Sequence, residues 1–233
     1  INKKWCLFTS ITILLLASCG GSSQTPTQSS DYSMTSVNDL QTSTPSNVSK
    51  PGWTLVWSDE FEKNGLPDAS KWTYDTDRNR MGWYNNEKQY YAANRLENSR
   101  VENGKLVISA RKERLVTAPD FGGQDYTSAR LVIRGVASWT YGFFEIRAKM
   151  PCGQGTWPAI WTLGVGGSKG TVWPDDGEID IMEVRGSDTY HAVQSLHGPG
   201  YSGGAARSHY FTSADIPLHT KYHTYRVDWL PNS

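Results

Sequence analysis

The chain of 233 residues is long enough for one sizeable domain, and its 23 basic and 23 acidic residues leave a formal net charge of zero. A balanced charge offers no basic footprint to a polyanion, which excludes nucleic acid as an expected partner. Ten Trp and twelve Tyr stand against six Phe, so most of the rings carry a polar edge and suit wet, polar surfaces.

Lys3 and Lys4 precede an apolar stretch from Leu7 to Leu16, followed by small residues and Cys19. This is the layout of an export signal and is too short for a membrane span. Leu16-Ala17-Ser18-Cys19 resembles the lipobox of bacterial lipoproteins, so residues 1–19 are read as a lipoprotein signal with Cys19 the lipidated first residue of the mature chain. The expected location is exported, held at the bacterial cell envelope or surface, with the membrane touched only through lipid. From Gly20 to Lys50 Ser, Thr, Gln, Asn and Pro dominate. Such a segment buries too little to offset the entropy of ordering and reads as a flexible tether. Cys152 is then the single thiol of the mature domain, so no intrachain disulfide forms there. Residues 51–233 are the folded domain, expected as a monomer.

Past Pro51, short apolar or alternating runs recur at intervals of roughly ten residues between turn signals, without helical periodicity, which predicts a sandwich or jelly roll. The candidate strands are Thr54 to Trp57, Lys105 to Arg111, Ser128 to Ile133, Gly142 to Met150, Ala159 to Leu163, Gly177 to Val184 and Thr224 to Leu230. Asn103-Gly104, Gly122-Gly123, Gly153-Gln154-Gly155, Gly164 to Gly170 and Gly203-Gly204 supply turns or loops between them. Within Phe143 to Met150, period two assigns Phe144, Ile146, Ala148 and Met150 to a buried face and Phe143, Glu145, Arg147 and Lys149 to a wet one.

The chemically loaded segment is Asp175-Asp176-Gly177-Glu178-Ile179-Asp180-Ile181-Met182-Glu183-Val184. On a regular strand Glu178 and Asp180 share a face and Glu183 misses it by one residue. A β-bulge at Ile181-Met182 supplies the extra residue and turns Glu183 back beside the others, and bulges are frequent next to active sites. Three like charges on one face raise each other's pKa and cost stability, so function explains them better than structure does. With the bulge, Glu178 and Glu183 lie roughly 13 Å apart between Cα atoms at ~3.3 Å per residue. Side chains leaning together on an inward-bent sheet approach the ~5–5.5 Å carboxyl spacing of retaining glycosidases. A hard-cation site is the competing reading of the triplet, although metal loops draw their ligands from flexible turns rather than from a strand rich in β-branched residues.

Glu178-Ile179-Asp180-Ile181-Met182-Glu183 resembles the signature of glycoside hydrolase family sixteen in its longer, bulged form, as in laminarinases. The resemblance extends to Trp57-Ser58-Asp59-Glu60-Phe61, to Gly82-Trp83-Tyr84-Asn85-Asn86-Glu87, to Thr127-Ser128-Ala129-Arg130-Leu131, and from Tyr141 through Trp161. It implies an all-β jelly roll of two curved antiparallel sheets with a concave cleft, and retaining endo-hydrolysis of β-1,3-glucan, with mixed β-1,3-1,4-glucan as a further substrate. By that resemblance Glu178 is the nucleophile, Glu183 the general acid and then base, and Asp180 the group that tunes the pair. Trp157 and Trp161 offer flat faces to glucosyl rings. Asn85, Asn86 and Arg130 match positions that hydrogen-bond sugars on the non-reducing side of the cut, and His197 matches a cleft histidine.

No cofactor is expected for catalysis. The resemblance implies a structural calcium held through backbone carbonyls at Glu60 and Gly104 and by an Asp near the C-terminus, and it implies further strands after Pro231. Neither that Asp nor those strands occur before Ser233, so a C-terminally incomplete domain is expected. Hydrolysis of an algal galactan such as agarose or carrageenan, and β-glucan binding without cleavage, are the alternative readings.

Overall fold

The computed structural model describes residues 3–13, 51–166 and 172–231. Cys19 and the tether of residues 20–50 lie outside the described residues. Asn103 and Gly104 have φ of 53° and 70°, the left-handed pair that a two-residue hairpin turn requires, and Asn-Gly is the sequence that tolerates it. They join β5 (Ser99–Glu102) to β6 (Lys105–Ile108). This hairpin ends a six-stranded sheet that also contains β1 (Lys3–Ile13), β2 (Trp53–Asp59), β10 (Gly142–Lys149) and β15 (His223–Trp229). The order is β15-β10-β1-β6-β5, with β2 also paired to β1. β15 runs antiparallel to β10, whereas β1 runs parallel to β2, β6 and β10. β1 covers much of the expected export signal, and removing that signal would take away the strand between β10 and its neighbours.

The second sheet is built from consecutive antiparallel strands, β11 (Ala159–Leu163), β12 (Glu178–Arg185), β13 (Asp188–His197) and β14 (Arg207–Thr212), in that order. Two small sheets are also present among the described residues. One pairs β3 (Thr73–Tyr74) with β9 (Leu131–Val132), and the other joins β4 (Gln89–Tyr91), β8 (Tyr126–Ser128) and β7 (Arg111–Lys112). Among the described residues the only helical pieces are 3-10 turns at Tyr84–Asn86 and Gly203–Ala205.

Between the large sheets, Phe144, Ile146, Ala148 and Met150 of the β10 run meet Ile181, Met182 and Val184 of β12, none more than 5% exposed. Each such large side chain contributes roughly 1.5–3 kcal/mol by leaving water. The alternation expected along β10 therefore holds on its inner face. On the outer face it fails at Phe143, which is 1% exposed. The Trp53 ring lies 5.5 Å away and the Arg226 guanidinium 3.9 Å from the Phe143 centroid. The reason is a local lid: period two sets the direction of a side chain, and neighbours decide whether that direction is wet.

The runs expected from Lys105 to Arg111 and from Ser128 to Ile133 are each broken into two short strands, and β13 and β14 were not expected. All six residues of β14 are exposed, so that edge strand carries no burial pattern. Between β12 to β14 and β15 lies an open cavity of about 510 Å³ lined in part by Ile179, Leu196, His209 and Val227.

Candidate active site

The pairing of β12 reveals how the acidic residues are sorted. Ile160 pairs with Met182 and Trp161 with Asp180, leaving Ile181 as an extra residue on β12. On the other side Asp180 pairs with Ser195 and Glu183 with Val193, so three steps on β12 match two on β13. This is the bulge expected at Ile181-Met182, and both of its side chains are buried, at 3% and 0% exposure. Its effect is to return Glu183 to the face that carries Glu178 and Asp180.

The three carboxyls differ in environment. Burial first, then the charges of Glu178 and Glu183, push the Asp180 carboxyl far above its usual range. Asp180 is 3% exposed and shares a hydrogen bond with Glu178. Glu183 is also raised, mainly by burial and further by Glu178, while a hydrogen bond from the Trp157 indole and the nearby Arg185 charge oppose the rise. Glu178 accepts from Trp173 Nε1 at 2.6 Å. A carboxyl whose burial favours its proton therefore stands on the same face as one held by a neutral indole donor, a pairing suited to a general acid with a nucleophile.

His197 Nε2 lies 3.0 Å from Asp180 Oδ2, and the Gly203 amide donates to His197 Nδ1 at 3.1 Å. A ring nitrogen that accepts from an amide carries no proton, so the proton of the neutral ring sits on Nε2 and points to Asp180. Ligand atoms of Glu178, Asp180 and His197 fall within 4.8 Å of one another, the spacing of a metal site. The tautomer argues against one, because a metal on Nε2 would force a proton onto Nδ1 and against the Gly203 amide.

Trp161 pairs with Asp180 and so shares the carboxylate face. Arg130 is brought to it: its guanidinium carbon sits 4.7 Å from the Trp161 ring and 5.1 Å from that of Trp83, and its Nε lies 3.1 Å from Asp75 Oδ2. Trp157 is 52% exposed beside Glu183. Asn85 and Asn86 are exposed on the 3-10 turn next to Trp83, with φ of 57° and 58°, a left-handed pair that Asn tolerates. Glu60 follows β2 and Gly104 lies in the β5–β6 turn, and the Asn103 amide donates to Asn64 Oδ1 at 3.1 Å, which ties those loops together.

Trp173 is the site residue that sequence reasoning missed. Its indole bonds Glu178 and lies 6.0 Å from the His197 ring. The available signal was a Trp-Pro pair five residues before Glu178, in a loop otherwise lacking large rings. That loop closes at its base where the Gly164 amide donates to Gly177 O at 2.9 Å, and any side chain at 164 would run into the Asp176 backbone.

Residues 86–233 match the profile of Glycosyl hydrolases family 16. A beta-glucanase of Rhodothermus marinus is 47% identical over 190 residues, which cover 78% of this chain and 61% of that protein. A glucan endo-1,3-beta-glucosidase of Cryptopygus antarcticus is 38% identical over 188 residues, 78% of this chain and 64% of that protein. The chain therefore spans less than two thirds of the length of these curated relatives. Among solved structures, the laminarinase from Rhodothermus marinus superposes with a TM-score of 0.68 at 47% identity, covering 76% of this chain and 67% of that one. SCLam, a non-specific endo-beta-1,3(4)-glucanase, gives a TM-score of 0.69 at 49% identity over 74% of this chain and 63% of that one. With its bulged acidic strand, a family profile matched over residues 86–233 and nearly half of the aligned residues identical to the Rhodothermus marinus enzyme, the chain belongs to glycosyl hydrolase family 16.

Proposed function

We propose that the protein cuts β-1,3-glucan internally with retention of anomeric configuration, and that it also accepts mixed β-1,3-1,4-glucan. The observation that carries this reading is the bulge that sets Glu178, Asp180 and Glu183 on one open face. Glu178 attacks the anomeric carbon while Glu183, whose burial favours its proton, gives that proton to the departing oxygen. Glu183 then takes a proton from water as the water displaces Glu178. The Trp173 indole holds one oxygen of Glu178, and Asp180 shares a proton with the same carboxylate. The names of the relatives, which state action on β-glucans, support the choice of substrate.

The test is release of reducing ends from laminarin, with Glu178→Ala and Glu183→Gln each losing at least about a hundredfold in kcat/KM. Nuclear magnetic resonance of the first products should show the β-anomer. An initial α-anomer would sink the retaining mechanism. Binding of insoluble glucan with no new reducing ends would make the protein a binder instead.

A further inference from the structure

The register of the second sheet places one more aromatic ring on the carboxylate face. Glu183 pairs with Val193, and Val193 pairs with Tyr210 of β14. Residues directly opposite in antiparallel strands point to the same side, so Tyr210 shares the face of Glu183. It stands two strand spacings away, roughly 10 Å at ~4.8 Å per strand. The next pairing in the same direction runs from Asp180 to Ser195 to Ser208, and the two serine hydroxyls are 2.9 Å apart.

We propose that Tyr210 and Ser208 form a sugar subsite on the β14 side of the cleft, across the catalytic strand from Trp161 and Arg130. Tyr210 is 69% exposed on a strand whose residues all face water, so its ring, with an apolar body and a polar tip, is accessible to a ligand of the same mixed character. Between it and Glu183 stands only the short side chain of Val193, and Ala159 flanks Glu183 on the other side. The row therefore carries small side chains on both sides of Glu183, which is bonded to Trp157, with Tyr210 at its β14 end.

The direction of the glycan follows from the carboxyls. Glu178 and Glu183 lie along β12 and must engage opposite sides of one glycosidic bond. The polysaccharide then crosses β12, over β11 on one side and over β13 and β14 on the other. A ring face against sugar C–H groups, with a hydroxyl beside it, matches the amphipathic surface of a glucosyl unit.

The inference rests on the glucan-hydrolase reading, and its test separates the two. Laminarihexaose labelled at its reducing end is digested by the protein and by Tyr210→Ala, and the labelled fragments are sized. Loss of the ring should lower kcat/KM roughly five- to tenfold and move the bond that is preferentially cut, while Tyr210→Phe keeps the wild-type pattern. Unmoved cleavage with kcat/KM within about twofold of wild type overturns the subsite. If the unaltered protein cuts nothing, the hydrolase reading fails by itself, and electrophoresis through laminarin-containing gels decides the subsite. Weaker retardation of Tyr210→Ala supports it and equal retardation overturns it. Because Tyr210 is exposed, its truncation opens no core cavity, and matched melting temperatures confirm that each variant is folded.

Discussion

Met182→Ala probes whether core packing under the bulge holds Glu183 in place. Met182 is 0% exposed and packs within the cluster that contains Ile181, Val184 and Ile146. The change removes three heavy atoms, worth about 2 kcal/mol by transfer at roughly 0.8 kcal/mol per methylene-sized group, and the residual cavity brings the loss to about 3 kcal/mol. For a domain of this size each kcal/mol moves Tm by about 2–4 °C, so thermal unfolding should shift down by about 6–12 °C. Met182 pairs across to Ile160, one step from Glu183, and relaxation into the cavity would let the bulge drift. Misplacement of a catalytic group by about 1 Å costs on the order of a hundredfold in rate. Leu106→Ala is the control, since Leu106 is 1% exposed in the same cluster but lies on β6 in the other large sheet. Both variants are assayed on laminarin at 25 °C, below their melting ranges. Equal losses of Tm with wild-type kcat/KM in Met182→Ala would refute the idea that packing beneath the bulge positions Glu183.

Trp157→Phe removes an N–H that bonds the ionised Glu183 and holds down its proton affinity. Glu183 should then stay protonated to higher pH, so the alkaline limb of the kcat/KM profile moves up while the acidic limb stays put; a downward move contradicts the assignment of Glu183 as the acid. For the calcium expected at the backbone of Glu60 and Gly104, a hundredfold excess of the ion over its Kd adds about 2.7 kcal/mol, which raises Tm by about 5–10 °C and is reversed by chelator. Identical melting with calcium and with chelator rules that site out.

The segment from Asp175 to Val184 contained most of the site in one dimension. On a regular strand Glu183 misses the face of Glu178 and Asp180 by one residue, and a bulge at Ile181-Met182 was the expectation that united the three; the pairing of β12 shows that bulge. The pattern along Phe144 to Met150 was equally readable, because period two and four apolar residues leave one solution. β14 was not readable: an edge strand with six wet residues lacks the contrast on which periodicity depends. Phe143 misled for the opposite reason, its cover coming from Trp53 and Arg226, which are remote in sequence. The Trp-Pro pair marked Trp173 as unusual for its loop, but a loop has no period from which to infer that the ring turns toward Glu178.

The all-β class, the inner face of β10 and the expectation of a bulge in the acidic strand follow from backbone geometry acting over a few residues. Long-range packing, by contrast, places Arg130 between Trp83 and Trp161, sets the Gly203 amide against His197 Nδ1, and brings Tyr210 into line with Glu183. The place of Tyr210 depends on register between strands, and those of Arg130 and His197 on loops and turns brought against the sheet, none of which is fixed by a local stretch of chain.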